Sequence, residues 1–336
     1  MSAKKAYGFR VFVGSCIFTT LTIGFVLWDE RRQRERRQEG VKYRLKSIQQ
    51  QQNMQEMRLI LGTAAKGTLR LVIPQLSLDA MRYASTAALR KNNWKPDVVY
   101  LYQFPRSPVM PNLSPFCMKV ETFLRANDIK YEAIGSFRHR SKKGLLPFIE
   151  LNGKPIADSQ VIIWELQKHF SIDDKLVREE RGTARALERM VELSTNYALL
   201  QDKSVLNGEA FMSRSVSGLP LPTFVTNFMA KRFSDEIGRR VKRILGRLTR
   251  DELKEALRRD IQAIEDVLQD KKFLFGDKMT VTDCCVFGQL ATTYYLPYRQ
   301  LITDLLDDEF PRVRQYVQRI RNHYYPEWKD EGYKAK

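Results

Sequence analysis

From residue 98 onward the spacing of apolar residues changes period in a fixed order. Val98-Val99-Tyr100-Leu101-Tyr102-Gln103-Phe104 is a short β-branched and aromatic run of the kind that forms a buried strand. Beyond a proline-punctuated loop, Cys117, Val120 and Leu124 recur at helical spacing with Phe116 and Phe123 beside them. Ser114 supplies an N-cap for that helix, and Pro115 suits its first position, where a missing N–H costs nothing. Lys130 to Ile134 predicts a second strand. Leu145 to Leu151 and Lys154 to Ala157 predict two more, joined at Asn152-Gly153, the dipeptide that tight hairpins favour. Asp158-Ser159 then caps a helix from Gln160 to Phe170, with Ile162, Ile163 and Leu166 inward. The order is β-α-β, a connection, a β-hairpin and a helix, an α/β domain over residues 98–172.

Past that helix the strand-like runs stop, and residues 173–330 read as all-helical. Leu187, Met190, Val191, Ser194, Tyr197 and Ala198 share a face between Glu179 and Asp202. Residues 203–222, rich in Ser, Gly and Pro, read as a loop. Phe224 to Arg247 is a basic amphipathic helix carrying Arg239, Arg240, Lys242, Arg243 and Arg247. Thr249 and Glu252 form a capping box for a helix to Gln269. Thr280 and Asp283 form another, heading an apolar helix from Cys284 to Tyr295, and their predicted role is structural. A last helix runs from Pro311 to His323.

Ahead of residue 98 the pattern is different. Val11 to Trp28 is 18 residues without a charge, at the short end of the about 17–25 that cross a bilayer. The charge cluster that follows, and the lack of a small-residue cleavage site, argue against a signal peptide. Residues 1–28 are therefore expected to be an N-terminal membrane anchor with a transmembrane helix. Arg31, Arg32, Arg34, Arg36 and Arg37 would hold the folded part on the cytosolic side, or on the matrix side of a mitochondrial inner membrane. Residues 29–97 read as a basic, Gln-rich stalk and linker. Within it Leu78 to Leu89 is amphipathic and basic, resembling a transit helix or a segment lying on a membrane surface.

Charge sharpens this division. The net charge is +18, of which residues 1–97 contribute +11 (18 Lys/Arg against 7 Asp/Glu) and the remainder +7 (39 against 32). A positive excess ahead of the folded part suits a membrane-proximal segment, and with no helix-turn-helix, zinc-finger or RNA-motif signature nucleic acid is not an expected partner. Cys16, Cys117, Cys284 and Cys285 make no disulfide framework, and three histidines without paired-cysteine spacing predict no metal site.

Ser114-Pro115-Phe116-Cys117, Leu146-Pro147 and Asp158-Ser159 together resemble the thioredoxin-like N-terminal domain of the glutathione transferases. Further stretches narrow the resemblance to the failed axon connections family, relatives of the metaxins: Gln103-Phe104-Pro105-Arg106, Thr282-Asp283 with Val286-Phe287-Gly288, and Arg319-Ile320-Arg321 before Tyr325-Pro326-Glu327-Trp328. Residues 1–60 are also similar to a small single-span cytochrome-oxidase assembly factor of mitochondria. The resemblance implies a thioredoxin-like domain followed by an all-α transferase-type domain, and glutathione as the ligand. It implies Ser114 as the catalytic hydroxyl. It implies Leu146, cis-Pro147, Asp158 and Ser159 as the glutathione-binding groups, with Arg106, Arg138 or Arg140 near the glycyl carboxylate. The ordinary alternatives are an N-cap at Ser114, a strand-edge proline and solvated arginines. Two functions follow. One is a membrane-anchored adaptor in mitochondrial or neuronal-developmental processes, with protein partners in a mitochondrial complex or a homodimer; the other is a glutathione-binding protein with weak transferase activity.

Overall fold

The computed structural model describes residues 89–329 and the backbone of 332 and 333. The expected anchor and residues 29–88 of the stalk and linker, which take in the amphipathic segment up to residue 88, lie outside the described residues. Residues 89–97 are described, and Arg90 and Lys91 donate their backbone N–H groups to Glu150 on the sheet. Among the described residues no helix is long and apolar enough to cross a membrane.

The sheet is built on β1 (Val99–Gln103), buried along its whole length. It pairs in parallel with β2 (Tyr131–Gly135) and antiparallel with β3 (Phe148–Leu151), which pairs antiparallel with β4 (Lys154–Ala157), giving the order β2-β1-β3-β4. The β3–β4 turn has Asn152 at φ 48° and Gly153 at φ 75°, the left-handed pair that Asn-Gly supplies at least cost. The connection between β2 and β3 has no regular element. Helix α1 (Pro115–Ala126) crosses from β1 to β2, and α2 (Ser159–Phe170) follows β4.

In the helical half, α3 (Arg178–Met190) continues through a π-helical stretch, Val191–Thr195, into α4 (Asn196–Leu200) and a second π-helical stretch, Gln201–Leu206. The segment expected to be a loop instead holds two short helices, α5 (Gly208–Met212) and α6 (Arg214–Ser217). Its serines hid them. Ser217 Oγ donates to the Ser213 and Met212 carbonyls, and Ser107 Oγ donates to the Val216 carbonyl at 2.6 Å, while Val216 is buried. Next come α7 (Thr223–Leu245), α8 (Arg250–Leu268) under its Thr249–Glu252 capping box, and α9 (Val281–Tyr294). Last are α10 (Leu301–Asp304), a π-helical turn at Leu305–Glu309 and α11 (Pro311–Tyr324).

A small hairpin of β5 (Trp328–Lys329) and β6 (Gly332–Tyr333) ends the described chain and was not foreseen. It and the residues before it are pinned to the sheet domain as well as to the helical half, where Trp328 packs on Tyr295 and Tyr325 on Phe287. Trp328 Nε1 donates to the Val109 carbonyl at 2.9 Å, and Tyr325 is fully buried with its hydroxyl 2.8 Å from Thr122 Oγ1. The run Tyr325-Pro326-Glu327-Trp328 is thus a clasp between the two halves.

Helix α1 is the common wall. One side packs on the sheet and the other on α9, so even Lys119, Glu121 and Thr122 are buried. At Gly288 on α9 an added Cβ would stand 2.7 Å from the Pro115 carbonyl oxygen, so the two helices touch backbone to backbone.

Candidate functional site

The loop from β1 into α1 is set by Asn112, which sequence reasoning missed. Fully buried, it accepts the Ser114 N–H on Oδ1 at 3.0 Å and donates from Nδ2 to the Phe104 carbonyl at 2.8 Å. A lone Asn in a Pro-rich loop carries no signal of such a two-ended brace. Ser114, thus placed, has extended backbone and accepts the Cys117 N–H on Oγ at 3.4 Å. That bond uses a lone pair of the hydroxyl and not its proton, so capping does not exclude donation to a ligand. Burial pushes the Cys117 thiol up to about 11, against hydrogen bonds with Ser114 and the Phe104 backbone. A thiol so placed stays protonated near neutrality and fills the core.

The other candidates come from the sheet register. Tyr102 on β1 faces Phe148 on β3, and Phe148 faces Ala157 on β4. The end of β1, the start of β3 and the end of β4 therefore lie at one end of the sheet. Leu146 and Pro147 immediately precede Phe148, and their peptide bond is cis. Asp158 immediately follows Ala157. It is the N-cap of α2, with Oδ1 accepting the Gln160 N–H at 3.0 Å, and its φ of 87° is a conformation that non-glycine residues rarely adopt. Ser159, the first residue of α2, is buried. Lys119, in the second turn of α1, donates from Nζ to Gln160 Oε1 at 3.0 Å, tying that turn to the first turn of α2. Two helix N-termini with their unpaired N–H groups thus open toward the same end of the sheet, an arrangement that favours anionic groups.

The arginines are spent differently from expectation. Arg106 holds Glu121 through both guanidinium nitrogens, at 2.5 and 2.6 Å, and also donates to the Pro111 carbonyl. Gln103 Nε2, Tyr131 OH and Arg125 Nη2 complete the shell around that buried carboxylate. Burial alone would raise the Glu121 carboxyl, but Arg106, Gln103 and Arg125 hold it below its ordinary value. Arg140 stacks its guanidinium 4.8 Å from the Phe104 ring centre, while Arg138 is exposed on the β2–β3 connection.

Lys119 also pairs with Glu192 at 2.6 Å, both buried, across the boundary between the sheet domain and the first π-helical stretch. Lys119 and Glu121 look like solvent-face charges in sequence, because nothing local reveals that α9 covers the first and that Gln103, Arg106 and Tyr131 enclose the second.

Thr280 and Asp283 lie away from this end of the sheet, inside the helical half. Asp283 is fully buried and accepts four hydrogen bonds, from Thr280 N, Thr280 Oγ1, Leu274 N and Tyr316 OH, all between 2.7 and 2.9 Å. The threonine hydroxyl donates to the aspartate rather than accepting from the helix. The carboxylate therefore does most of the work of the box and also fastens α11 to α9.

Among known proteins, the N-terminal domain model of the glutathione S-transferases matches residues 115–209, and the C-terminal domain model matches residues 257–320. Failed axon connections of Drosophila melanogaster is 34% identical over 255 residues, 71% of this chain, and the chain spans 61% of that relative's length. Isoprene-epoxide–glutathione S-transferase of a Rhodococcus strain is 25% identical over 243 residues, 68% of this chain and 99% of that enzyme. The crystal structure of glutathione transferase GSTFuA3 from Phanerochaete chrysosporium superposes with a TM-score of 0.48 at 13% identity, over 69% of this chain and 99% of that one. The chain is therefore a homologue of failed axon connections that carries the N- and C-terminal domains of the glutathione S-transferases and fits the metaxin-like family of that superfamily.

Proposed function

We propose that this chain binds glutathione at the end of the sheet where α1 and α2 begin. The observation that carries the reading is Asp158, held at a φ of 87° between the β3–β4 hairpin and a buried serine at a helix start. A backbone of that kind costs on the order of 1–3 kcal/mol and persists where its surroundings, or its function, require it. Glutathione presents an amino group, two carboxylates, an extended backbone and a thiol. The Asp158 carboxylate suits the amine, and Ser159 with the first N–H groups of α2 suits the γ-glutamyl carboxylate. The Leu146 backbone suits the cysteinyl amide. The thiolate would lie toward α1, where Ser114 keeps a hydroxyl proton to give. The Rhodococcus relative, an enzyme named for glutathione transfer, supports the choice of ligand.

Calorimetric titration with glutathione tests this. Asp158→Asn should weaken binding by about 1–3 kcal/mol, the range for losing a charged hydrogen-bond partner, and melting curves of the same variant separate lost affinity from lost fold. Ser114→Ala should leave binding in place and remove any turnover with an electrophile. No heat of binding at millimolar glutathione would sink the proposal.

A second reading is favoured by the commitment of Arg106 to Glu121 and of Cys117 to the core, which leaves little machinery for fast chemistry. In it the chain is an adaptor of transferase fold, anchored by residues 11–28 in a membrane, with a mitochondrial membrane favoured, and its partners are proteins. Full-length chain that leaves the membrane pellet on alkaline carbonate extraction would contradict the anchor.

A further inference from the structure

We propose that the outward face of α7 docks flat onto an anionic lipid bilayer, independently of any glutathione site. This helix holds six Lys/Arg against two Asp/Glu and lies in the stretch, residues 210–256, between the two matched domain models. It buries one stripe, Thr226, Ala230, Ile237, Gly238 and Val241, against the helical half. Phe224 and Phe228 point the other way, 66% and 52% exposed, and lie one turn apart on the same face. Continuing along that face at intervals of three and four come Lys231, Arg232, Arg239, Lys242 and Arg243, all exposed. Glu236 is paired with both Arg239 and Arg240 at 2.8 and 2.9 Å, so a single carboxylate offsets two guanidiniums and the face stays positive.

The charge by itself would suit phosphates of any source, and the apolar residues decide between them. Leu221 precedes the helix, Phe224 opens it and Phe228 follows one turn on, all more than a third exposed. Apolar groups at the start of this face with cations along the rest suit a helix lying in the interfacial plane, aromatic and aliphatic side chains in the acyl boundary and cations at headgroup level. Stacked bases offer Phe224 and Phe228 a surface but give the aliphatic Leu221 no apolar medium. A second copy meeting this face two-fold would set positive against positive. The exposed phenylalanines and the sign of the charge around them both match an anionic lipid surface.

The test uses the full chain with Cys16→Ser and Phe228→Cys, carrying an environment-sensitive thiol fluorophore at position 228. Cys117, Cys284 and Cys285 are buried and their thiols are pushed up, so they do not compete for label. The chain is reconstituted into phosphatidylcholine vesicles with and without phosphatidylserine, and into matching vesicles with brominated acyl chains. Expected are a blue shift and bromine quenching in the anionic vesicles only, reversed by high salt and abolished by adding Lys231→Glu and Arg232→Glu. Because a segment elsewhere could tether the chain in both kinds of vesicle, the difference between them is the readout. A second labelled variant, Phe224→Cys, should report the same from one turn away on the same face, and circular dichroism checks the fold of each. Equal signals in neutral and anionic vesicles, no quenching at either position, a concentration-dependent shift without lipid, or a shift with single-stranded RNA but not vesicles would each overturn the proposal.

Discussion

Replacing Gly288 by alanine puts one methyl group between α9 and α1. Its carbon would lie 2.7 Å from the Pro115 carbonyl oxygen, 3.1 Å from the Lys119 nitrogen and 3.4 Å from the Lys119 Cα. These are backbone atoms, so no side chain can turn aside. The separation is well inside the about 3.5 Å at which non-bonded heavy atoms attract. Alanine brings about 1 kcal/mol of helix propensity over glycine, and overpacking a filled core costs about 1–3 kcal/mol. Because a helix backbone must shift to relieve the contact, the upper part of that range applies and a net loss of about 1–2 kcal/mol is expected. In a folded unit of this size that lowers the melting midpoint by roughly 2–8 °C. Gly182→Ala is the matched control: it lies on the exposed face of α3 with nothing within 4 Å of an added Cβ. There the same substitution should stabilise by up to about 1 kcal/mol. Urea and thermal melts of the two variants, followed by far-ultraviolet circular dichroism, read the comparison directly. Two variants that shift in the same direction would refute the argument that α1 and α9 meet backbone to backbone.

Asp283→Ala strands the Leu274 and Thr280 N–H groups and the Tyr316 hydroxyl in a site without water access, so a loss of about 3–5 kcal/mol is expected in denaturant midpoint; an unchanged midpoint would remove the capping role. Lys119→Met should cost about 3 kcal/mol by leaving Glu192 buried with only Arg189 beside it, and adding Glu192→Leu should recover most of the loss, a cycle readable from urea melts. Lys203 is buried, and burial pushes its amine from 10.5 down to about 7. Between those values the unfolded chain holds a proton that the folded chain does not, so stability should rise with pH across that window by about 1.4 kcal/mol per unit at most. Lys203→Met should flatten that rise and stabilise the protein below pH 7, and an unaltered pH profile would contradict it.

How much of this was legible in sequence varied with the range of the forces involved. The β1 run, the Asn152-Gly153 turn and the capping boxes were readable because each is decided by residues within a few positions of one another. The boundaries of α7, α8 and α11 came within two residues for the same reason. The short helices α5 and α6 were not readable, because their serines resemble loop composition until they are seen satisfying carbonyls of their own turns. Asn112, Lys119 and Glu121 were not readable either. Their partners, Phe104, Glu192 and Arg106, lie 8, 73 and 15 residues away, and polarity in an otherwise apolar helix predicts a wet face rather than a buried brace. Arg106 was read by resemblance toward a ligand, whereas its geometry ties it to Glu121. Sequence gave the chemistry of the groups and left open which of them the fold consumes internally.

That consumption bears on function through α1. The polar groups of this helix all point into the protein: Lys119 to Glu192 and Gln160, Thr122 to Tyr325, and Arg125 to Glu327 and the Tyr324 carbonyl. Those bonds join the sheet domain, the helical half and the C-terminal clasp through a single element, and its first turn carries Ser114. A site built on so constrained a helix start loses little conformational entropy when a ligand arrives, which favours binding whether or not chemistry follows. Turnover asks for something further, a hydroxyl proton aimed at a thiolate, and only Ser114 among the residues of that turn can offer it. On the proposed reading, affinity would rest on Asp158 and Ser159 and turnover on Ser114, so the two would be carried by separate groups. A chain that holds glutathione through Asp158 and Ser159 while turning over nothing is a coherent physical state of this fold, and it is the state in which a transferase scaffold becomes an adaptor.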